Sequence, residues 1–347
     1  MGLQRLDWNQ RNYDALSEFL AGVRPGEIAV FDWDNTCICG DIGDAVFRHQ
    51  ALNLEFKFDP QDLCEIIPDQ VNGIDRVQIN GRALPLRQVK EQVVNAYEEI
   101  AGRTLAEISS GEAYRDFSAG LLALNRGLEE TPGIGCEFAY LWTVNFLQGF
   151  RPAEVRRLAR KVIRQEMRSR IQEQTWCDSR QRLHSSWTSG VRPFPEMTDL
   201  SRVLKKAGCR VVVSTASNPL IVEAMIAATG FMAERVIGQA SGMAKGRLLG
   251  TLAPGLQSNF GSGKVENLRQ GLDREPVFAA GDSPGDHEML TAFPATRLKL
   301  LIRRSRPGKM TGLYHRALDR DPHFLLQDID SGLGKFTPGK SLSAFSA

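Results

Sequence analysis

Residues 28–36 read IAVFDWDNT, a short apolar run that leads directly into two carboxylates two positions apart, Asp32 and Asp34. Short apolar runs of this kind are typical of buried strands in a parallel sheet. Side chains that follow such a strand lie at the edge where open α/β sheets bind their ligands. The stretch therefore predicts an α/β fold with a polar site directly after its first strand.

A second acidic cluster lies far downstream and has the same context. Residues 281–286 read GDSPGD and follow the apolar run 277–280. Because the carboxyl ends of parallel strands meet at one edge of the sheet, we expect Asp282 and Asp286 to lie near the first pair of carboxylates. The two clusters together predict one metal site built from both halves of the sequence.

The pattern between these motifs indicates an insertion. From about residue 44 to residue 189, apolar residues recur at helical spacing and β-branched runs are rare, whereas alternating strands and helices return after residue 190. Alternation of strands and helices predicts a Rossmann-like parallel-sheet core. We assign residues 1–43 and 190–335 to that core and residues 44–189 to a large, mainly α-helical cap inserted after the first strand. Residues 336–347 are predicted to form a flexible tail.

The composition excludes several classes of protein. The chain has 347 residues, of which 42% are hydrophobic and 24% charged, with a formal net charge of +2. These values are ordinary for a globular protein and do not indicate a nucleic-acid binder. There is no apolar run of about 18 residues, so we expect no membrane association. The N-terminal residues lack the apolar core of a signal peptide, and we therefore expect a cytoplasmic location.

Paired carboxylates at a strand end suit phosphoryl transfer. One carboxylate can attack phosphorus and form an aspartyl phosphate, while the other donates a proton to the leaving oxygen and then accepts one from water. Carboxylates repel a dianionic phosphate, so the chemistry requires a hard cation. Mg²⁺, which prefers oxygen ligands, matches Asp32, Asp34 and Asp282.

Two further groups complete such a site. Thr215 ends the apolar strand 210–215, and its hydroxyl and the backbone N–H groups that follow, beginning with Ala216, can bind phosphate oxygens. Ser214 could take the place of Thr215, although the distance from the helix end at Gly208 favours Thr215. Lys264 lies at the start of a predicted helix and can neutralise charge on the transferring group.

These motifs, in this order, resemble the haloacid dehalogenase superfamily, and most closely its phosphoserine phosphatase-like and phosphorylcholine phosphatase-like branch. The similarity covers residues 28–40, 208–230 and 262–290. It implies the following roles: Asp32 as nucleophile, Asp34 as general acid and base, Thr215 and Lys264 as phosphate ligands, and Asp32, the Asp34 backbone carbonyl and Asp282 as Mg²⁺ ligands, with Asp286 close by or acting through water.

The residues that enter the predicted cap bear on the substrate. In the families resembled, an acidic residue in the region of Asp41 and Asp44 meets the cationic end of the substrate; otherwise the two are solvent-exposed loop carboxylates. Five cap aromatics either line a pocket for a quaternary ammonium or belong to the core: Phe138, Tyr140, Trp142, Trp176 and Trp187.

The resulting hypothesis is a Mg²⁺-dependent phosphomonoester hydrolase that acts through an aspartyl phosphate on a small phosphorylated metabolite. A cationic leaving group, as in phosphoserine, phosphocholine or phosphoethanolamine, is favoured over the substrates of a broad-specificity or nucleotide phosphatase. Two competing hypotheses are a phosphotransferase with the same intermediate and a catalytically idle binding protein of the same fold. The sequence does not indicate the oligomeric state.

Overall fold

The computed structural model describes residues 2–304 and 308–338. Its strands are β1 (Ile28–Phe31), β2 (Ile38–Cys39), β3 (Arg76–Ile79), β4 (Arg82–Pro85), β5 (Gln172–Cys177), β6 (His184–Ser189), β7 (Arg192–Pro193), β8 (Arg210–Ser214), β9 (Arg235–Ile237), β10 (Ser241–Ala244), β11 (Arg247–Leu252), β12 (Phe278–Gly281), β13 (Leu298–Arg303), β14 (Phe324–Asp330) and β15 (Lys335–Phe336). Its α-helices are α1 (Gln10–Ala21), α2 (Ile42–Asn53), α3 (Pro60–Ile66), α4 (Leu86–Ile100), α5 (Leu105–Ile108), α6 (Glu112–Glu130), α7 (Gly135–Thr143), α8 (Pro152–Arg168), α9 (Pro195–Lys206), α10 (Pro219–Thr229), α11 (Ser262–Gly271), α12 (His287–Thr291) and α13 (Thr311–Leu318), with 3₁₀ turns at Val144–Leu147, Pro284–Asp286 and Gly308–Met310. None of the described helices has the length and hydrophobicity needed to cross a membrane.

The central sheet has seven strands in the order β15-β14-β13-β12-β1-β8-β9. All neighbours are parallel except β14 and β15, which are antiparallel. Strand β1 lies between β12 and β8, with Val30 opposite Ala279 on one side and Val212 on the other. Every residue of β1 is buried, as an apolar run covered on both faces requires. The sequence prediction of a parallel α/β core is confirmed.

Local signals set the loop that follows β8. The Asn218 side chain accepts a hydrogen bond from the Leu220 N–H, and Pro219 occupies the first helical position, so both residues favour the start of α10 at this point. The helix ends at Gly230, which has a left-handed conformation with φ of 72°. This short connection fixes residues 215–217 at the carboxyl edge of the sheet.

The segment between β2 and β7 is largely helical, but it also contains the hairpins β3–β4 and β5–β6, which the sequence interpretation missed. A second hydrophobic cluster, with buried members between Phe47 and Leu183, is built entirely from this segment. Helix α8 ends at Arg168, and the chain then enters the β5–β6 ladder, in which Gln172 pairs with Ser189.

The predicted boundaries at residues 44 and 190 stay a proposal. Helix α2 runs across the first of them, and the buried face of α8 belongs to the hydrophobic cluster of the central sheet, where it packs against α10. The inserted segment therefore packs against the core through α8, in addition to the two chain connections at its ends.

The predicted tail begins too early. Phe336 is fully buried in β15, where its ring packs against Phe194 with centroids 4.4 Å apart and against Trp8 at 5.1 Å. An aromatic side chain that fills a core position belongs to the folded structure. Residues 339–347 of the predicted tail lie outside the described residues.

Candidate active site

Asp32 lies at the carboxyl end of β1, and its backbone N–H donates to the Ala280 carbonyl of β12 at 2.9 Å. The carboxylate is nearly buried, with Oδ1 accepting from Lys264 Nζ at 2.6 Å and Oδ2 accepting from the Thr36 hydroxyl at 2.9 Å. The same hydroxyl lies 3.2 Å from Asp282 Oδ1, on the loop after β12. The two acidic motifs are thus adjacent, as the strand-end argument predicts.

Three carboxylates at this edge are close enough together to hold a cation. Asp32, Asp282 and Asp286 are all buried, and each offers an oxygen within 4.8 Å of the others. Lys264 and Arg304 supply two positive charges against three negative ones, so negative charge is left in excess in a buried environment. A donor set made only of carboxylate oxygens fits a hard divalent cation such as Mg²⁺.

Asp286 holds the loop that carries Asp282. Its Oδ2 accepts from the backbone N–H of Asp282 at 3.2 Å and from the N–H and hydroxyl of Ser283 at 3.0 and 2.9 Å. The loop folds so tightly that a Cβ on Gly281 would lie 2.6 Å from the Cβ of Asp286. Asp286 therefore positions the loop that carries Asp282, and metal binding by either residue stays a prediction.

Lys264 is buried between the acidic residues. Its ammonium donates to Asp32 Oδ1 and Asp286 Oδ1, both at 2.6 Å, and to the Ser214 carbonyl at 3.0 Å. Burial alone would lower the pKa of Lys264, but the two carboxylates outweigh burial and raise that pKa above its ordinary value. Burial and the charge of Asp286 raise the pKa of Asp32, while Lys264 opposes that rise. All three ammonium protons are donated to protein groups, so the predicted contact of Lys264 with phosphate stays a prediction.

The carboxylate of Asp34 lies outside the cluster formed by Asp32, Asp282 and Asp286. Its Oδ1 accepts from the Ile42 N–H at 2.8 Å and its Oδ2 accepts from the Ser217 hydroxyl at 2.7 Å. Burial raises the pKa of Asp34 to about 7, and these two hydrogen bonds oppose the rise because they stabilise the ionised form. Any part that Asp34 has in metal binding would be through its backbone carbonyl, which stays a prediction. Trp33 is buried and packs edge-on against Phe231, a packing role.

The loop after β8 brings a second polar group to the site. Thr215 is buried, lines the small cavity of about 50 Å³ that also contains Asp32, and accepts at Oγ1 from the Ser217 N–H at 3.0 Å. Ser214 does not line that cavity, and Asn259 donates to its hydroxyl at 3.2 Å. This placement favours Thr215 over Ser214. Ala216 lines the cavity as well, while the role of Ser217 as a donor to Asp34 was missed from the sequence.

Asp41 and Asp44 open helix α2 and face a larger cavity of about 320 Å³ between α2, α6 and β6. The Asp41 carboxylate accepts from the Asp44 N–H at 2.8 Å, which makes it the cap of the helix. Burial raises the pKa of each to about 8. The interpretation of the pair as solvent-exposed loop carboxylates is therefore wrong.

Two of the five cap aromatics, Tyr140 and Trp187, line this cavity. The guanidinium of Arg48 already lies 5.2 Å from the Trp187 ring centroid, so that ring face is not free for a ligand cation. Trp142 packs edge-on against Phe146, and Phe138 and Trp176 pack against the cluster of the inserted segment. An aromatic cage for a quaternary ammonium is not formed by the described part of the chain.

Comparisons with known proteins place this geometry in context. A family model described as haloacid dehalogenase-like hydrolase matches residues 102–291. The crystal structure of a conserved protein of unknown function from Anaerococcus prevotii DSM 20548 is 26% identical, with a TM-score of 0.87 over 97% of each chain. No curated protein shows a significant match to the sequence.

Two further solved structures are more distant. A protein of unknown function from Bordetella pertussis Tohama I is 16% identical with a TM-score of 0.47, over 88% of this chain and 99% of that one. A phospho-aspartyl intermediate analogue of phosphoserine phosphatase is 13% identical with a TM-score of 0.36, over 80% of this chain and 87% of that one.

Proposed function

This chain belongs to the haloacid dehalogenase-like hydrolases, and from that premise we propose that it hydrolyses small phosphomonoesters through an aspartyl phosphate on Asp32. The observation that supports the proposal most is the buried cluster of Asp32, Asp282 and Asp286 around Lys264 at the carboxyl ends of β1 and β12. Phosphate release from p-nitrophenyl phosphate and from a panel of alkyl phosphates, with Mg²⁺ and with EDTA, tests it directly. An absence of hydrolysis of every ester would contradict it.

The reaction divides into two steps. Asp32 attacks phosphorus, the bond to the alcohol oxygen breaks, and Asp34 gives its proton to that oxygen. Water then attacks the aspartyl phosphate, Asp34 accepts the water's proton, and the bond from phosphorus to Asp32 breaks to release inorganic phosphate. A pKa of about 7 suits a group that must give and take a proton in alternate steps near neutral pH.

The proposed cofactor is Mg²⁺, held by Asp32 and Asp282 with Asp286 beside them. When bound, the ion neutralises charge on the phosphoryl oxygens. Lys264 adds a fixed positive charge next to the attacking oxygen. The Thr215 hydroxyl and the Ala216 N–H are the proposed donors to the remaining phosphate oxygens, because the N–H groups of Thr215 and Ser217 already donate within the protein.

Metal binding is expected to raise the thermal stability without any substrate. A ligand at about 100 times its Kd stabilises the native state by roughly 2.7 kcal/mol, so Mg²⁺ should raise the unfolding temperature of the wild type. Asp282→Asn should lose most of this increase, whereas Asp319→Asn, a change at an exposed position, should keep it. Equal increases in all three proteins would show that Asp282 does not hold the ion.

Asp34→Asn is expected to affect esters according to their leaving group. An alkoxide needs a proton to depart, so kcat/KM for phosphoethanolamine, which reports the steps up to the aspartyl phosphate, should fall by about 10²–10⁴-fold. The loss of kcat/KM for p-nitrophenyl phosphate should be much smaller because nitrophenolate departs without a proton. In the wild type, kcat/KM for phosphoethanolamine should decline as the pH rises through about 7, since Asp34 must be protonated to donate. Equal losses for the two esters would contradict the assignment.

Ser217→Ala is expected to shift that pH profile upward. The Ser217 hydroxyl stabilises the ionised form of Asp34, so its removal should raise the pKa of Asp34 and move the alkaline limb of kcat/KM to higher pH. The matched control is Ser110→Ala, which changes an exposed serine of the inserted segment. If the alkaline limb of the pH profile did not shift in Ser217→Ala, a group other than Asp34 would determine that limb.

Asp41 and Asp44 support a substrate with a cationic leaving group, for which phosphoserine, phosphocholine and phosphoethanolamine are the proposed candidates.

A phosphotransferase is distinguished by measuring free phosphate with and without an acceptor alcohol, because transfer would lower the phosphate yield. An idle binding protein would release none. The cytoplasmic location stays a prediction.

A further inference from the structure

The larger cavity adjoins the proposed reaction site. Its volume is about 320 Å³, whereas the cavity around Asp32 and Lys264 has about 50 Å³. Four residues line both: Asn35, Asp41, Tyr140 and Arg304. A phosphoryl group held at Asp32 therefore has its leaving group directed past these residues into the larger space.

The cations of the larger cavity are already paired. The pairs are Arg48 with Glu166 at 3.1 Å, Arg126 with Glu129 at 2.9 Å and with Glu130 at 2.7 Å, and Arg304 with Asp282 at 3.2 Å. An anionic leaving group would have to compete with a carboxylate for each of these guanidiniums. The cavity is therefore poorly suited to a substrate whose alcohol carries a carboxylate, which disfavours phosphoserine among the three candidates above.

Two acceptors of the same cavity, by contrast, have side-chain oxygens without a donor. Within residues 2–304 and 308–338, the Asp44 carboxylate has no hydrogen-bond or ion-pair partner; its backbone N–H donates to Asp41. The Oδ1 atom of Asn125 is buried and has no partner there either. The nearby charges of Arg48 and Arg126 lower the pKa of Asp44, but less than burial raises it. The unmatched, buried Asn125 acceptor costs free energy that a ligand with a donor at that position would recover, whereas the half-buried Asp44 carboxylate offers a charge to such a ligand.

The volume bears on the size of the leaving group. At roughly 30 Å³ per water molecule, the larger cavity has room for about ten waters, or a group of about ten non-hydrogen atoms. Ethanolamine would leave most of that space unfilled. A ligand that fills it must also carry several polar groups, because Ser185, Ser186 and Thr188 line one wall.

We propose, on the basis of the phosphatase function above, that the leaving group is an amino sugar or an amino polyol of similar size. In this assignment Asp44 binds its ammonium group and Asn125 accepts a hydrogen bond from one of its hydroxyls. The two residues thus determine specificity through charge and through the pattern of donors.

Three esters separate charge from size. Glucosamine 6-phosphate has both features, glucose 6-phosphate has the size without the charge, and phosphoethanolamine has the charge without the size. We expect kcat/KM for glucosamine 6-phosphate to exceed each of the others by at least about 10-fold, which is about 1.4 kcal/mol. Equal or better turnover of glucose 6-phosphate, or of phosphoethanolamine, would overturn the proposal.

Substitutions test which residues cause the preference for glucosamine 6-phosphate. Asp44→Asn should bring the ratio of kcat/KM for glucosamine 6-phosphate to that for glucose 6-phosphate close to 1. Asn125→Leu should lower kcat/KM for both sugar phosphates more than for phosphoethanolamine. Asp69→Asn, a change at an exposed position of the same segment, should leave every ratio unaltered. A preference that survives in Asp44→Asn overturns the role of that residue.

A binding measurement keeps this test separate from turnover. By titration calorimetry, D-glucosamine should bind to the wild type at least about 10-fold more tightly than D-glucose, and Asp44→Asn should remove the difference. Selective binding without hydrolysis of any ester would leave the cavity assignment standing and refute the phosphatase. Hydrolysis of p-nitrophenyl phosphate together with equal affinity for the two sugars would support the phosphatase function and refute the cavity assignment.

Discussion

Asp32→Asn is expected to lower kcat for p-nitrophenyl phosphate by about 10⁴-fold or more without unfolding the protein. An amide cannot attack phosphorus, and no other described carboxylate occupies the same position between Lys264 and Thr36. The substitution preserves shape, and Lys264 retains Asp286 and the Ser214 carbonyl as acceptors. The circular dichroism spectrum and the cooperativity of thermal unfolding should therefore remain those of a folded protein.

A direct measurement of the intermediate makes this prediction sharper. Wild-type protein quenched in acid during turnover should carry one phosphoryl group on the peptide that contains Asp32, as detected by mass spectrometry, and Asp32→Asn should carry none. Asp319→Asn serves as the control for a surface Asp-to-Asn change and should retain both the activity and the adduct. Residual activity above about a tenth of wild type in Asp32→Asn would show that the nucleophile lies elsewhere.

The cation cluster could be predicted because its members follow apolar strand runs. Asp32 comes directly after β1 and Asp282 directly after β12, and parallel strands that pair side by side must end at one edge. The contacts of Lys264 could not be predicted in the same way. Its position near the start of a helix indicated a nearby anion, but its burial between Asp32 and Asp286 depends on how α11 packs against the sheet.

The sequence interpretation missed two site residues, Ser217 and Arg304, and one hairpin. Ser217 reaches Asp34 only because the loop after β8 turns back toward β1. Arg304 follows β13 directly, so the strand-end argument that found Asp282 could have found it too. The hairpin β5–β6 was missed because β5 is mostly exposed and lacks the alternation of apolar and polar residues that marks a half-buried strand.

Lys264→Met is expected to have the largest effect on stability of any single change at the site. It removes the ammonium that contacts two buried carboxylates at 2.6 Å each and leaves Asp32 and Asp286 facing one another without it. Breaking a buried ion pair by removing one partner costs about 3–5 kcal/mol, because the remaining charge is left uncompensated. Methionine keeps most of the length of the side chain, so the loss would report charge rather than a large cavity. Denaturant unfolding in EDTA measures it.

Added Mg²⁺ is expected to recover part of this loss. The variant cluster carries one positive charge fewer, so a divalent cation should raise the unfolding free energy of Lys264→Met more than that of the wild type. Catalysis should not recover with it: kcat should stay about 10²–10³-fold below wild type, since the fixed charge beside the attacking oxygen is gone.

Two controls separate charge from geometry. Lys335→Met removes an exposed lysine and should change neither stability nor its response to Mg²⁺. Lys264→Arg keeps the charge, but the planar guanidinium cannot place three donors where the compact ammonium does, so it should retain more stability than Lys264→Met and still lose most activity. If Lys264→Met were as stable as the wild type in EDTA, the carboxylates would not be ionised together in the folded protein. The cluster would then carry no excess of negative charge to attract a divalent cation.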